Sequence, residues 1–144
     1  MTEVDIGLVR RKLAVITRNL GDLGAVAGLG LSEYRSDRFR LKGTERLLQE
    51  LVEAAVDVNL HLLRARGRQA PVDYHGSFVE LGRAGILPAD MAERLAPAAG
   101  LRNRLVHEYD EIDDAIVLGA VRKAREEFVA YVAAVERFLG AEGR

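Results

Sequence analysis

A chain of 144 residues is long enough to bury one core without disulfide or metal staples, and with 49% apolar and 30% charged residues it has the composition of an ordinary folded domain. Its 21 basic and 22 acidic side chains leave a net charge of −1, so nucleic acid must be held by a local basic patch and not by the field of the whole molecule. Cysteine is absent, which excludes thiolate nucleophiles and cysteine-ligated zinc or iron–sulfur centres.

The segment from Met1 to Lys12 is charged throughout, and no later run approaches about 18 uncharged apolar residues, so neither a signal peptide nor a membrane span is expected and the protein reads as cytoplasmic. Ile6, Val9, Leu13, Ile16, Leu20 and Leu23 then advance in steps of three and four, the apolar seam of a long amphipathic helix running from about Thr2 to Ala27. Gly28-Leu29-Gly30 is its expected terminator. A second stripe, Leu48, Leu51, Ala55, Val58 and Leu62, predicts another long helix from near Asp37 to Gly67.

Gly67-Arg68-Gln69-Ala70-Pro71 breaks helical continuity, and Tyr74-His75 is expected in the loop that follows. Ser77-Phe78-Val79-Glu80 has the capping-box pattern, in which a serine caps an early amide and a glutamate three residues on reaches back to it; a short helix ending near Gly85 is expected there. Pro88 suits the first turn of a helix extending toward His107, with a kink or break at Pro97. Val117, Val121, Ala124, Phe128, Tyr131, Val135 and Phe138 mark a last long helix, entered through Asp110, Glu111, Asp113 and Asp114, acids that favour a helix N-terminus. With no alternating β-branched run, the chain reads as all-α, a single domain over 1–144 built as an antiparallel up-and-down bundle of four to five helices.

Leu101 to Asp110, reading LRNRLVHEYD, is the densest polar cluster of the chain. On a helix, Leu101 and Leu105 form its buried stripe, with Ala98 behind them. Asn103 and His107 stack on one line and Arg102 and Tyr109 on another, the two lines standing roughly 100–140° apart. Arg102 must therefore reach around to meet His107, or two copies of the helix must pack about a two-fold axis so that both sets converge on one cleft.

Arg102-Asn103-Arg104-Leu105-Val106-His107 resembles the Arg-x4-His motif of HEPN-domain ribonucleases, and with Tyr109 the pattern becomes the Arg-x4-His-x-Tyr of the HepT toxins. Pro71 to Tyr74, Phe78, Leu81, Gly85-Ile86-Leu87-Pro88 and Arg102 to Asp113 resemble that family in order and spacing, so the likeness covers nearly the whole chain. It implies a HEPN-like bundle acting as a homodimeric, metal-independent endoribonuclease with no cofactor, the toxin half of a toxin–antitoxin pair. Its partner would be a minimal nucleotidyltransferase antitoxin that transfers AMP from ATP to the motif tyrosine, here Tyr109.

The chemistry fits these residue types. Metal-free RNA cleavage needs a base for the ribose 2′-hydroxyl, an acid for the departing 5′-oxygen and cations around the phosphorane. His107 supplies base or acid, Arg102 a planar fork for phosphate, and Asn103 an amide that orients the imidazole or the phosphate. Phosphates added to Tyr109 beside Arg102 would compete with RNA for the same cation. Arg104 and Arg46 are candidate RNA contacts; Arg46 belongs to a basic run with Arg35, Arg38, Arg40 and Lys42, and Arg64, Arg66 and Arg68 follow the second helix. Solvated helix faces account for the same arginines. Glu108, Asp110, Glu111, Asp113 and Asp114 read as helix-end charges and not as a metal site, and His61 as a packed or boundary histidine. With no phosphate loop after a strand, the chain is not itself a nucleotidyltransferase. The alternative reading keeps the fold and drops the catalysis, leaving a helical module that dimerises and presents substrate to a nucleotidyltransferase.

Overall fold

The computed structural model describes residues 3–142, which form seven α-helices, a short 3₁₀ turn and no strand among the described residues. In chain order these are α1 (Ile6–Ala27), α2 (Leu31–Arg35), α3 (Arg38–Ala65), α4 (Tyr74–Arg83), α5 (Ala89–Leu95), α6 (Pro97–His107) and α7 (Asp114–Glu142). The expected start of the first helix at Thr2 lies outside the described residues; within them the helix begins at Ile6, where the Asp5 carboxylate accepts from the Leu8 amide at 3.0 Å. The Asp5 amide in turn donates to Nε2 of His61 at 2.9 Å, which makes His61 the boundary residue its spacing suggests.

The directions of the long helices can be read from the pairs between them. Along α1, Lys12 pairs with Asp57 and Asn19 with the Leu47 carbonyl, while Arg10 pairs with Glu136 and the Ala27 carbonyl accepts from Arg122. Partner numbers fall as α1 advances, so α1 runs antiparallel to both α3 and α7. α3 and α7 then run parallel, as Tyr131 against Asn59 and Arg66 against Glu142 require. The return between them is made by α6; α4 follows the direction of α3, since Tyr74 sits with Arg102 and Glu53, Ser77 with Asn59 and Glu80 with Arg68. Four legs, up, down, up and down, are the result, the third being α6 after a connection broken into α4 and α5.

Those breaks have local causes. α4 ends where Gly85 takes a φ of 75°, a left-handed conformation that glycine adopts without steric penalty. Pro97 begins α6 directly after α5, which is the expected break. Pro88 occupies the cap before α5 and not its first turn, one residue earlier than expected. α2 carries no periodic signal in the sequence, since five residues give too few turns, and it packs through Tyr34, which is fully buried in the core.

The capping box expected at Ser77 is not present. Asp73 caps α4, accepting from the Gly76 amide at 2.7 Å, so Tyr74 and His75 are helical and not in a loop. Ser77 lies inside the helix, fully buried, and its hydroxyl serves a longer connection. Tyr131 Oη donates to Asn59 Oδ1 (2.6 Å), Asn59 Nδ2 donates to Ser77 Oγ (3.0 Å), and Ser77 Oγ donates to the Tyr74 carbonyl (2.7 Å). This buried chain of polar groups, satisfied along its length, ties the first turn of α4 to both α3 and α7.

α4 and α5 approach so closely that a Cβ on Gly82 would meet the Ala92 Cβ at 2.8 Å. Although alanine is the better helix former by about 1 kcal/mol, the clash outweighs it. Gly82→Ala is expected to destabilise the protein by about 1–3 kcal/mol in urea unfolding, whereas Gly43→Ala on α3, where a Cβ meets nothing, is expected to be neutral or stabilising.

Candidate active site

α6 presents the motif. Ala99, Leu101 and Leu105 are buried, which turns Asn103, Arg104 and His107 outward and leaves Arg102 at the boundary. Asn103 and His107 share one exposed line of α6, as their spacing requires, and Arg102 points away from that line into the junction with α3 and α4.

In that junction the Arg102 side chain is 18% exposed, and it is held on three sides. Its Nε and Nη2 both donate to Oε1 of Glu53 on α3, at 3.0 and 2.9 Å. Its Cζ lies 4.9 Å from the centroid of the Tyr74 ring, a cation–π contact. Its Nη1 donates to Oδ1 of Asn103 at 3.3 Å, which joins the two lines of the motif that helical geometry separates. Gln49, one turn before Glu53, donates to the same Oε1 at 3.1 Å. None of Gln49, Glu53 and Tyr74 is assigned to the site by the sequence reading. The available signal was the shared face of α3: Arg46, Gln49 and Glu53 repeat at helical spacing just off its apolar stripe.

Tyr109 does not continue the helical phase on which its alignment with Arg102 was based. α6 stops at His107 and Glu108 leaves helical geometry, so Tyr109 heads the 3₁₀ turn Tyr109–Glu111, 65% exposed and flanked by acids. Of those acids, Asp113 caps α7 by accepting from the Ala115 amide at 2.9 Å, and Asp114 pairs with Arg35 at 3.3 Å. Asp110 and Glu111 lie in the turn before α7 and not in its first turn.

The candidate RNA-contacting arginines differ in setting. Arg104 lines an open, largely apolar groove of about 250 Å³ with Leu48, Leu101, Ala120, Lys123 and Phe128, on the side of α6 away from Arg102. Burial raises the carboxyl of Glu127, on the same groove, above the ordinary glutamate value. Arg46 is exposed and pairs with Glu50 at 3.3 Å; it stands two turns, about 10 Å, before Glu53 on α3. Much of the remaining basic run is engaged within the fold: Arg40 donates to the Glu33 carbonyl, Arg66 pairs with Glu142 and stacks on Phe138, and Arg68 pairs with Glu80.

No helix among the described residues is long and apolar enough to cross a membrane. The ribonuclease HepT-like family model matches residues 16–135. The chain is 36% identical over 139 residues to a tRNA nuclease HepT of Aphanizomenon flos-aquae, covering 96% of this chain and 95% of that one. It is 29% identical over 126 residues to an mRNA nuclease HepT of Shewanella oneidensis, covering 87% and 93% of the two. Among solved structures it superimposes on a tri-AMPylated Shewanella oneidensis HEPN toxin in complex with an MNT antitoxin, with a TM-score of 0.82, 26% identity and coverage of 90% of this chain and 97% of that one. The match spans all four legs of the bundle and the whole of α6, and on that extent the chain belongs to the ribonuclease HepT-like family.

Proposed function

We propose that this protein is a metal-independent endoribonuclease, the toxin of a toxin–antitoxin pair, acting in the cytoplasm as a homodimer of one-domain subunits. Each subunit contributes Arg102, Asn103 and His107 to a shared cleft. One His107 takes the proton of a ribose 2′-hydroxyl as that oxygen attacks the adjacent phosphorus; the other gives a proton to the departing 5′-oxygen. A 2′,3′-cyclic phosphate and a 5′-hydroxyl result. Arg102 meets the charge that grows on the non-bridging oxygens, Asn103 orients the phosphate, and Arg104 and Arg46 hold flanking nucleotides. The observation that carries this reading is the fixed Arg102 guanidinium hydrogen-bonded to Asn103 on the helix that exposes His107.

The test is cleavage of bulk tRNA by the purified protein in excess chelator. Wild-type cleavage with loss in Arg102→Ala and His107→Ala is expected; undiminished cleavage by both variants removes the assigned site. Absence of cleavage by the wild type favours the second reading, a helical module that only binds a nucleotidyltransferase.

Regulation falls on Tyr109. Its exposed phenol is open to attack the α-phosphorus of ATP in a partner's active site, releasing pyrophosphate and leaving AMP on the oxygen. The AMPylated Shewanella toxin is a relative in which such a modification is recorded. Intact-mass spectrometry after co-expression with a cognate nucleotidyltransferase is expected to find adenylate-sized additions that Tyr109→Phe abolishes.

A further inference from the structure

Arg102 is fixed more completely than joining two helices requires. Leu101 and Leu105 already seat α6 in the apolar core, so the ion pair to Glu53 is not needed to dock it. A guanidinium carries five N–H bonds, one on Nε and two on each terminal nitrogen. Glu53 takes the Nε bond and one on Nη2, and Asn103 takes one on Nη1. Two remain, one on each terminal nitrogen, and a phosphodiester bound by both would be held in a fixed plane. That plane is set by Tyr74 against the face and by Glu53 along the side edge, while Gln49 holds the Glu53 oxygen from the other direction. The backbone of Tyr74 is itself held in place, since the buried Tyr131–Asn59–Ser77 chain ends on its carbonyl.

We propose that Glu53 and Tyr74 are positioning residues that hold Arg102 as a preformed phosphate receptor, trading substrate affinity for geometry in the transition state. This rests on the assignment of Arg102 to phosphate above. A carboxylate this close to a bound phosphate repels it, so Glu53 weakens binding of RNA even as it orients the group that meets the transition state. A purely structural ion pair has no such split effect.

Glu53→Gln keeps the shape and the acceptor oxygen and removes the charge. It is expected to lower kcat on tRNA about tenfold with KM unchanged or reduced, and with no loss of melting temperature. Tyr74→Ala is expected to lose about tenfold in kcat, and Tyr74→Phe, which puts the ring back, to rescue most of that loss. The clamp is read independently of turnover from the Arg102 Nε–H resonance in protein labelled with ¹⁵N-arginine, assigned by its disappearance in Arg102→Lys. A dispersed, slowly exchanging signal in wild type that collapses toward the exposed arginines in Glu53→Gln and Tyr74→Ala is expected. Wild-type kcat in both Glu53→Gln and Tyr74→Ala, or an Arg102 signal already averaged in wild type, overturns the proposal. Undiminished cleavage by Arg102→Ala instead overturns the assignment of Arg102 to phosphate, while the Nε–H signal still decides whether the clamp exists.

Discussion

Alanine at His107 is expected to lower kcat for RNA cleavage by about 10²–10⁴-fold, the contribution of a positioned general acid or base. Stability should hardly move. His107 is exposed and lies in the last turn of α6, so its loss falls within the roughly 0.5 kcal/mol typical of surface positions. The same placement explains why it is free to exchange protons with substrate. In a dimer in which one imidazole is base and the other acid, mixed dimers of wild-type and His107→Ala subunits lose one of the two roles and should fall nearly as low as the variant homodimer. Unmixed activity in such heterodimers, scaling with the wild-type fraction, would instead assign both roles to one subunit.

The placing of Arg102 and His107 on one helix is legible in the sequence because their spacing is local, and so are the three long helices, whose apolar stripes repeat over about four to six turns. What escaped was set by tertiary contact. Ser77 and Glu80 match a capping box in spacing, yet Asp73 caps the helix, and the Ser77 hydroxyl is engaged instead by the Asn59 amide and the Tyr74 carbonyl. Glu53 lies between Val52 and Ala54 like any polar residue at the edge of an amphipathic helix, and only the docking of α6 forty-nine positions later makes it the partner of Arg102. The alignment of Tyr109 with Arg102 on one helix line is lost for the opposite reason. The helical phase was projected two residues past the point where Glu108 ends the helix, although a run of acids at a helix C-terminus opposes the macrodipole and favours termination there.

Phe78→Ala is expected to be the most destabilising of these substitutions, and its effect should extend to the motif it does not touch. Phe78 is fully buried, edge-on to Phe128 at 6.3 Å and to Tyr131 at 6.2 Å, and with Leu81 it anchors α4 in the core. Truncation removes its transfer free energy and leaves a cavity that three rigid helices cannot close, about 3–5 kcal/mol by urea unfolding. At roughly 3 °C per kcal/mol for a chain of this size, the melting temperature should fall by about 10 °C. The next turn back along α4 carries Tyr74, so the ring under Arg102 loses its support along with the core. Assayed well below its melting point, the Phe78→Ala protein should therefore remain folded and yet lose kcat as Tyr74→Ala does. Ile16→Ala opens a cavity from the side of α1, which packs on α3 and α7, and should lower stability by about 2–5 kcal/mol with kcat largely kept. Equal losses of kcat in the two variants would mean that the motif senses global stability and not the seating of α4.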